Sequence, residues 1–223
     1  MFASNSLHPE WFIIGSLAVA FLPLFLGVLT SYLKVSVVLS MLRSGLGAQN
    51  TPSALVTMAL SLGLTLSIMA PVFQESKQAA DRVDFSLLQK KPTKEVLETF
   101  APVVAPWMNF LKTHAGERER EVFMAKSEME ESGEVAKETN KEDLQGLLLA
   151  FLTGELKEAF AIGFVVLLPF LVVDLIVANL LVGLGMFMVS PVMIALPLKL
   201  LLFVLADGWV LLTQGLLHSY ATL

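Results

Sequence analysis

Hydrophobic residues are concentrated in two blocks, one near the beginning of the chain and one near its end. Four largely apolar runs are candidate membrane helices, at residues 11–33, 53–73, about 156–178 and about 183–206. A helix rises about 1.5 Å per residue, so about 20 residues cross a hydrocarbon core of about 30 Å. The pattern predicts an all-α chain with no β-sheet. We expect one hydrophobic helical hairpin at 1–73 and another at 146–223, both with long kinked helices.

Most of the charge lies between these blocks. The segment 74–145 holds 26 of the 35 Lys, Arg, Asp and Glu residues. Its stretch "EVLETFAPVVAPWMNFLK" has helical spacing, and the runs "GERERE", "SEMEESGE" and "KETNKED" are typical of solvated helix surfaces or mobile loops. We predict a soluble helical or loop segment here, on the periplasmic side of the membrane.

Local signals suggest helix boundaries. Thr51 is a candidate N-cap with Pro52 at the first helical position, for a helix from Ser53 to Phe73 that breaks near Pro71. A capping box is expected at Thr139 and Glu142.

Basic residues bear on topology. Lys34 and Arg43 are predicted to lie in a short connection, which the positive-inside rule places in the cytoplasm. The first apolar run has no preceding Lys or Arg, so we expect it to be retained and not cleaved as a secretory signal.

Composition supports a membrane protein. The chain is 55% hydrophobic and 16% charged, whereas soluble domains average about 45–50% and about 25%. The net charge of −5 argues against nucleic-acid binding. There are no cysteines, the three histidines lack metal-ligand spacing, and no nucleotide-binding or nucleophile motif is present. We therefore expect no catalytic residue, metal or cofactor.

Six polar residues fall in or beside the apolar runs of the second block. They are Glu155, Lys157, Asp174, Asn179, Lys199 and Asp207. A charge at a bilayer centre costs about 2.5–3.5 kcal/mol on insertion scales, so these groups must face protein, an aqueous lumen or each other. Lys199 and Asp207 are too far apart to pair directly. We expect each to meet a charge on another helix or subunit, with Asp174, Glu155 and Lys157 as candidates, although interfacial snorkelling would also suit Lys199. Asn179 is expected to form an amide hydrogen bond across helices.

The stretch "LVGLGMFMVSPVMIALPLKLLLFVLADGW", residues 181–209, is interrupted by helix breakers. In a helix Met186 and Met188 would lie about 200° apart, whereas in an extended segment they share a side. Glycines and prolines permit a bend here, at Gly183, Gly185, Pro191 and Pro197. We predict a non-helical hairpin turn near 183–191 with both methionines on one side. Ordinary core packing of the methionines is the alternative.

Several stretches closely resemble the FliP/SctR family of bacterial type III secretion export apparatus proteins. They are "TSYLKVSVVLSMLRSGLGAQNTP", "IMAP", "PFLVVDLIVAN", "LPLK" and "LFVLADGW", and the resemblance covers roughly residues 24–75 and 145–215. It implies a multi-pass subunit of the export gate in the inner membrane, partly projecting into the periplasm. Several copies, five in that family, would form a ring with a central pore through which unfolded proteins pass.

The resemblance also implies partners and a role for the methionines. Expected partners are SctS/FliQ-like and SctT/FliR-like membrane subunits, SctU/FlhB-like and SctV/FlhA-like export components, inner rod or needle proteins, secretion substrates and lipid. Methionines in this position narrow the pore of that family as a gasket, so Met186, Phe187 and Met188 are candidates for it. The missing basic leader favours the injectisome SctR type over the flagellar type. A self-contained channel or transporter for small solutes or ions is the alternative function, and a membrane enzyme is disfavoured.

Overall fold

The computed structural model describes residues 15–17, 20–21, 25–47, 52–83, 93–130 and 144–221. Seven long helices run through these ranges, and no strand occurs in them, which confirms the predicted all-α class. The helices are α1 (Tyr32–Leu46), α2 (Ala54–Ala80), α3 (Thr93–His114), α4 (Glu117–Glu130), α5 (Leu144–Gly183), α6 (Pro191–Leu205) and α7 (Gly208–Ala221). The predicted capping box at Thr139 and Glu142 lies outside the described residues. In the predicted first span, 11–33, the described residues 15–17, 20–21, 25–29 and 32–33 are helical.

Helix α1 forms where a connection was predicted, and this corrects the assignment of Lys34 and Arg43 to a loop. Its buried apolar residues recur every three or four positions, which is the pattern of a helix packed on one face: Val35, Val38, Leu39, Leu42 and Leu46. This face packs mainly against α5. The helix ends at Gly47, whose φ of 71° is the left-handed conformation that glycine adopts at a C-terminal cap.

Helix α2 is longer than predicted. Its N-cap is Ser53, whose side chain accepts a hydrogen bond from the Val56 amide, so the predicted cap at Thr51 is wrong. The helix runs through Pro71 without ending and continues to Ala80, so the predicted end at Phe73 and boundary at residue 73 fall inside it. Burial of Met69 and Val72 on both sides of Pro71 provides packing that a free helix would lack.

The charged segment does not stand apart from the apolar blocks. Helices α3 and α4 form in it, and they pack against α2 and α5. One buried cluster joins α2, the end of α3 and the start of α5 and contains Met69, Val72, Phe110, Leu111, Ala115, Leu147, Ala150 and Phe151. The helical reading of its apolar stretch is correct, and Pro102 and Pro106 lie inside α3.

Helix α5 is the axis of the fold. Its 40 residues make it about 60 Å long, and it contains Pro169. It contacts α1, α3, α4 and α6. The residues buried from Gly146 to Gly163 mostly recur every three or four positions, whereas the second half buries only Phe170, Val177 and Leu181.

The described part of the chain has two helices long and apolar enough to cross a membrane, α2 and α5. Helices α6 and α7 would together form a third candidate, but they meet at an angle of 62°. The run predicted as one span at about 183–206 is interrupted at its beginning, whereas its end agrees with the prediction. Residues 184–190 are not helical, and α6 ends at Leu205.

Candidate functional site

A buried ion pair lies where α1 crosses α5. Lys34 Nζ is 3.0 Å from Glu155 Oε1, and the two side chains are 0% and 1% exposed. The same ammonium donates to Glu158 Oε2 at 2.7 Å, but the Glu158 side chain is half exposed. Only the first carboxylate is fully removed from solvent, so it depends most on Lys34.

Tyr220, on the last turn of α7, completes this cluster. Its hydroxyl donates to Glu155 Oε2, so each carboxylate oxygen of Glu155 has a partner. Its ring also lies under the ammonium of Lys34, 4.0 Å from Nζ to the ring centroid, which is a cation–π contact. These contacts connect three helices through four side chains: Lys34 of α1, Glu155 and Glu158 of α5, and Tyr220 of α7.

His114 borders this cluster at the end of α3. Its ring lies 5.0 Å from the ring of Tyr220 and 4.4 Å from that of Phe110. Its Nδ1 is 2.9 Å from the Phe110 carbonyl oxygen, whereas Nε2 is buried and has no hydrogen-bond partner in the described part of the chain. Burial lowers the pKa of His114, and the nearby charge of Lys34 lowers it further. A neutral imidazole that donates from Nδ1 fits these surroundings.

A second ion pair joins three helices. Lys199 of α6 lies 2.6 Å from Asp174 Oδ2 on α5, and it donates at 3.0 Å to the Gly45 carbonyl near the end of α1. Lys199 is buried, whereas Asp174 is partly exposed. Asp174 is one of the candidate partners that the sequence analysis predicts for Lys199.

The other predicted polar contacts differ from expectation. Lys157 meets Glu119 of α4 at 2.9 Å on an exposed surface, and this hydrogen bond lowers the pKa of Glu119. Asp207 is exposed and makes no ion pair within the described ranges. It occupies the corner between α6 and α7 with a φ of 50°. Asn179 lies on an exposed face of α5, and the predicted amide bond across helices is not made within the part of the chain that the structure describes.

Lys34 and Tyr220 were the residues that sequence reasoning missed as site residues. The sequence analysis uses Lys34 only to orient the chain in the membrane. However, Lys34 lies four residues before Val38 and eight before Leu42, on the buried face of α1. That spacing was a usable signal. Tyr220 had no such signal, because its contact with Glu155 requires the bend between α6 and α7.

The segment 184–190 connects α5 to α6 at the point where the sequence predicted a break. Gly185, with a φ of 74°, closes α5: its amide donates to the Val182 carbonyl, and the Met186 amide donates to the Leu181 carbonyl. This pair of bonds is the Schellman motif. Pro191 begins α6, whereas Gly183 is the last residue of α5 and Pro197 lies inside α6, so Pro197 does not form the turn.

The three candidate gasket residues project from this segment. Met186, Phe187 and Met188 are 48%, 78% and 101% exposed. The flanking helices also expose large apolar side chains, including Leu171, Val172, Leu175, Ile176, Leu180, Val182, Met193, Leu201, Val204 and Leu205. An apolar surface of this extent requires cover by lipid or protein.

Comparison with known proteins identifies the family. The sequence model of the FliP family matches residues 16–216 of this chain. The chain belongs to the FliP family. It is 40% identical over 199 residues to the Yop proteins translocation protein R of Yersinia pestis, an alignment that covers 89% of this chain and 90% of that protein.

Other relatives of this FliP family member come from injectisome and flagellar systems. It is 38% identical over 208 residues to the hypersensitivity response secretion protein HrcR of Ralstonia nicotianae, covering 93% of this chain and 95% of that protein. It is 38% identical over 207 residues to the flagellar biosynthetic protein FliP of Buchnera aphidicola, covering 92% of this chain and 52% of that protein. The predicted family is confirmed, and the SctR type is supported.

Family membership and the apolar helices together define the broad role. The FliP family member is a component of a type III secretion or flagellar export apparatus. Its two long apolar helices, with α6 and α7 as a bent third, fit a membrane protein.

Proposed function

We propose that this chain is a core subunit of a type III secretion export gate in the bacterial inner membrane. In this proposal several copies, five by family resemblance, combine with SctS- and SctT-like subunits around a channel for unfolded proteins. The observation that supports it best is the exposed non-helical segment 184–190, which carries Met186, Phe187 and Met188 between two uncovered apolar helices.

The geometry of this segment suits a constriction. The Schellman motif fixes the end of α5, and Pro191 fixes the start of α6, so the position of the turn is defined by the backbone. The side chains of Phe187 and Met188 are 78% and 101% exposed, so the described part of the chain does little to hold them in one rotamer. Methionine is unbranched and polarisable, so it can repack around the varied side chains of a passing polypeptide.

The polar groups support a protein-conducting gate more than a self-contained ion channel. A small-ion pathway requires polar groups that line a continuous route. Here Lys34 pairs with Glu155, and Lys199 pairs with Asp174, so the most buried charges connect helices of one subunit. The exposed surface of α5 and α6 is instead apolar, which fits contacts with other subunits and with lipid.

Replacement of Met186 and Met188 by alanine tests the constriction. The double variant should assemble normally and raise the leak of ions through the gate, because the side chains that narrow the channel are shortened. The measurement is ion conductance of the complex in planar bilayers or in vesicles. Met193→Ala is the matched control, because the exposure of this methionine, 74%, lies between those of Met186 and Met188, but it lies on helix α6.

Two outcomes would contradict the proposal. Unchanged conductance with intact assembly would show that Met186 and Met188 do not line the channel. Purification of a stable gated homo-oligomer, even when the neighbouring secretion subunits are co-expressed, would favour the self-contained channel. The expected result of co-purification is a mixed complex with two kinds of small membrane protein.

A further inference from the structure

Helix α7 is attached to the rest of the subunit by one narrow face. Leu212, Leu216 and Tyr220 follow one another at intervals of four residues, and the two leucines are buried in a cluster with α1. The opposite side of the helix is uncovered, and Val210 and Leu211 are more than half exposed. The docked position of α7 therefore depends on a few side chains.

Tyr220 makes this face more than an apolar contact. Its hydroxyl serves one oxygen of Glu155, and its ring covers the ammonium of Lys34. The ring of Phe110 also stacks against the ring of Tyr220, with centroids 6.1 Å apart. Undocking of α7 would leave one oxygen of a buried carboxylate without its donor and would uncover the ion pair.

The corner that directs α7 back onto the subunit has an unfavourable backbone conformation. Asp207 has a φ of 50°, and within the described ranges no other residue except glycine has a positive φ. Side chains disfavour this left-handed conformation, although aspartate tolerates it better than most. At Gly208 a Cβ atom would collide with the ring of Phe203, so the corner also requires glycine there. The bend between α6 and α7 is thus built from specific residues.

We propose that α7 is a latch with two positions. In the docked position seen here, Tyr220 closes over Lys34 and Glu155. In the released position Asp207 becomes helical, and residues 191–221 form one helix of about 46 Å, long enough to cross a bilayer as a third span. The released form removes the left-handed residue and places the exposed face of α7 in lipid. Its cost is the loss of the Tyr220 contacts.

The distance between α7 and α2 distinguishes these positions. Position 217 lies ten residues beyond the corner, about 15 Å along the helix, so removal of a 62° bend displaces it by about 15 Å. The chain has no cysteines, so Leu66→Cys and Leu217→Cys, both at exposed sites, accept spin labels selectively. Pulsed electron resonance on the full chain, in detergent and in lipid nanodiscs, then measures the distance distribution.

Two variants should populate the released position. Tyr220→Phe keeps the ring and removes only the hydroxyl that binds Glu155. Asp207→Ala leaves the buried cluster unchanged and disfavours the left-handed corner. Each should add a second distance, displaced by up to about 15 Å, whereas the matched variant Asp207→Gly should keep the docked distance because glycine accepts this conformation.

The outcomes decide the proposal directly. A single unchanged distance in Asp207→Ala, with helical content retained by circular dichroism, overturns the latch. An equal shift in Asp207→Gly also overturns it, because the shift would then not come from the left-handed requirement. If Tyr220→Phe fails to fold, the two Asp207 variants still decide. The latch does not depend on the proposed role of the methionine segment.

Discussion

Replacement of Lys34 by methionine should destabilise the subunit strongly. Lys34 and Glu155 are 0% and 1% exposed, and 3.0 Å separates Nζ from Oε1. Methionine has a length similar to that of lysine and fills the same space. The loss of stability therefore comes from the charge of Glu155, which no longer has its partner. Within the described part of the chain, Glu155 would remain buried with the Tyr220 hydroxyl as its one remaining donor.

The expected loss is about 3 kcal/mol in the free energy of unfolding. Removal of one partner from a buried ion pair costs about 3–5 kcal/mol, because the remaining charge stays uncompensated. The lower end applies here, since Tyr220 still serves Glu155, and Glu158 is half exposed and can be hydrated. The assay is reversible unfolding of the purified chain in mixed micelles with increasing SDS, followed by circular dichroism.

Two comparisons sharpen the result. Lys157 lies on α5 near Glu155, and its side chain, which pairs with Glu119, is 65% exposed. Lys157→Met should therefore reduce the free energy of unfolding far less than Lys34→Met does. A double variant, Lys34→Met with Glu155→Leu, removes both charges and should recover most of the loss, as buried pairs replaced by apolar residues often do. A loss below about 1 kcal/mol for Lys34→Met, or no recovery in the double variant, would refute the reasoning.

Four further changes have defined expectations. Asp174→Ala leaves the buried Lys199 with one carbonyl acceptor, and SDS unfolding should show a loss of about 2–3 kcal/mol. Gly45→Ala places a methyl group against a leucine and a buried phenylalanine ring and should cost about 1–3 kcal/mol. In contrast, Gly63→Ala points into open space and should stabilise α2 by up to about 1 kcal/mol. The pKa of His114 is lowered in the folded state, so the unfolded chain binds a proton at higher pH than the folded chain does. The free energy of unfolding should therefore fall as the pH drops below about 6.5. His114→Phe should weaken this dependence on pH, as measured by urea unfolding at several pH values.

The sequence predicted features that depend on neighbours along the chain. The break before α6 follows from Gly185 and Pro191, whose backbone preferences act locally. The spacing of Val35, Val38 and Leu42 likewise indicates helix α1, although the sequence analysis predicts a connection there. Apolar residues at every third or fourth position indicate a helix whatever it packs against.

Features that depend on distant partners could not be read in this way. The continuation of α2 past Pro71 reflects burial against α3, which outweighs the local preference to end the helix. The partner of Lys157 is Glu119, which the sequence placed in a solvated charge run, because nothing in the pattern brings α4 onto α5. The exposure of Asn179 depends on surfaces that neighbouring molecules would cover.

The length of α5 separates its two ion pairs by nearly the thickness of a membrane. Glu155 and Asp174 lie on one continuous helix, nineteen residues apart, which corresponds to about 28 Å along its axis. A hydrocarbon layer of about 30 Å therefore cannot hold both carboxylates near its middle. If the Asp174–Lys199 pair lies at mid-depth, the Lys34–Glu155 pair stands beyond the lipid edge, together with α3 and α4. A single helix would then have its C-terminal half in lipid and its N-terminal half within a protein body above the bilayer.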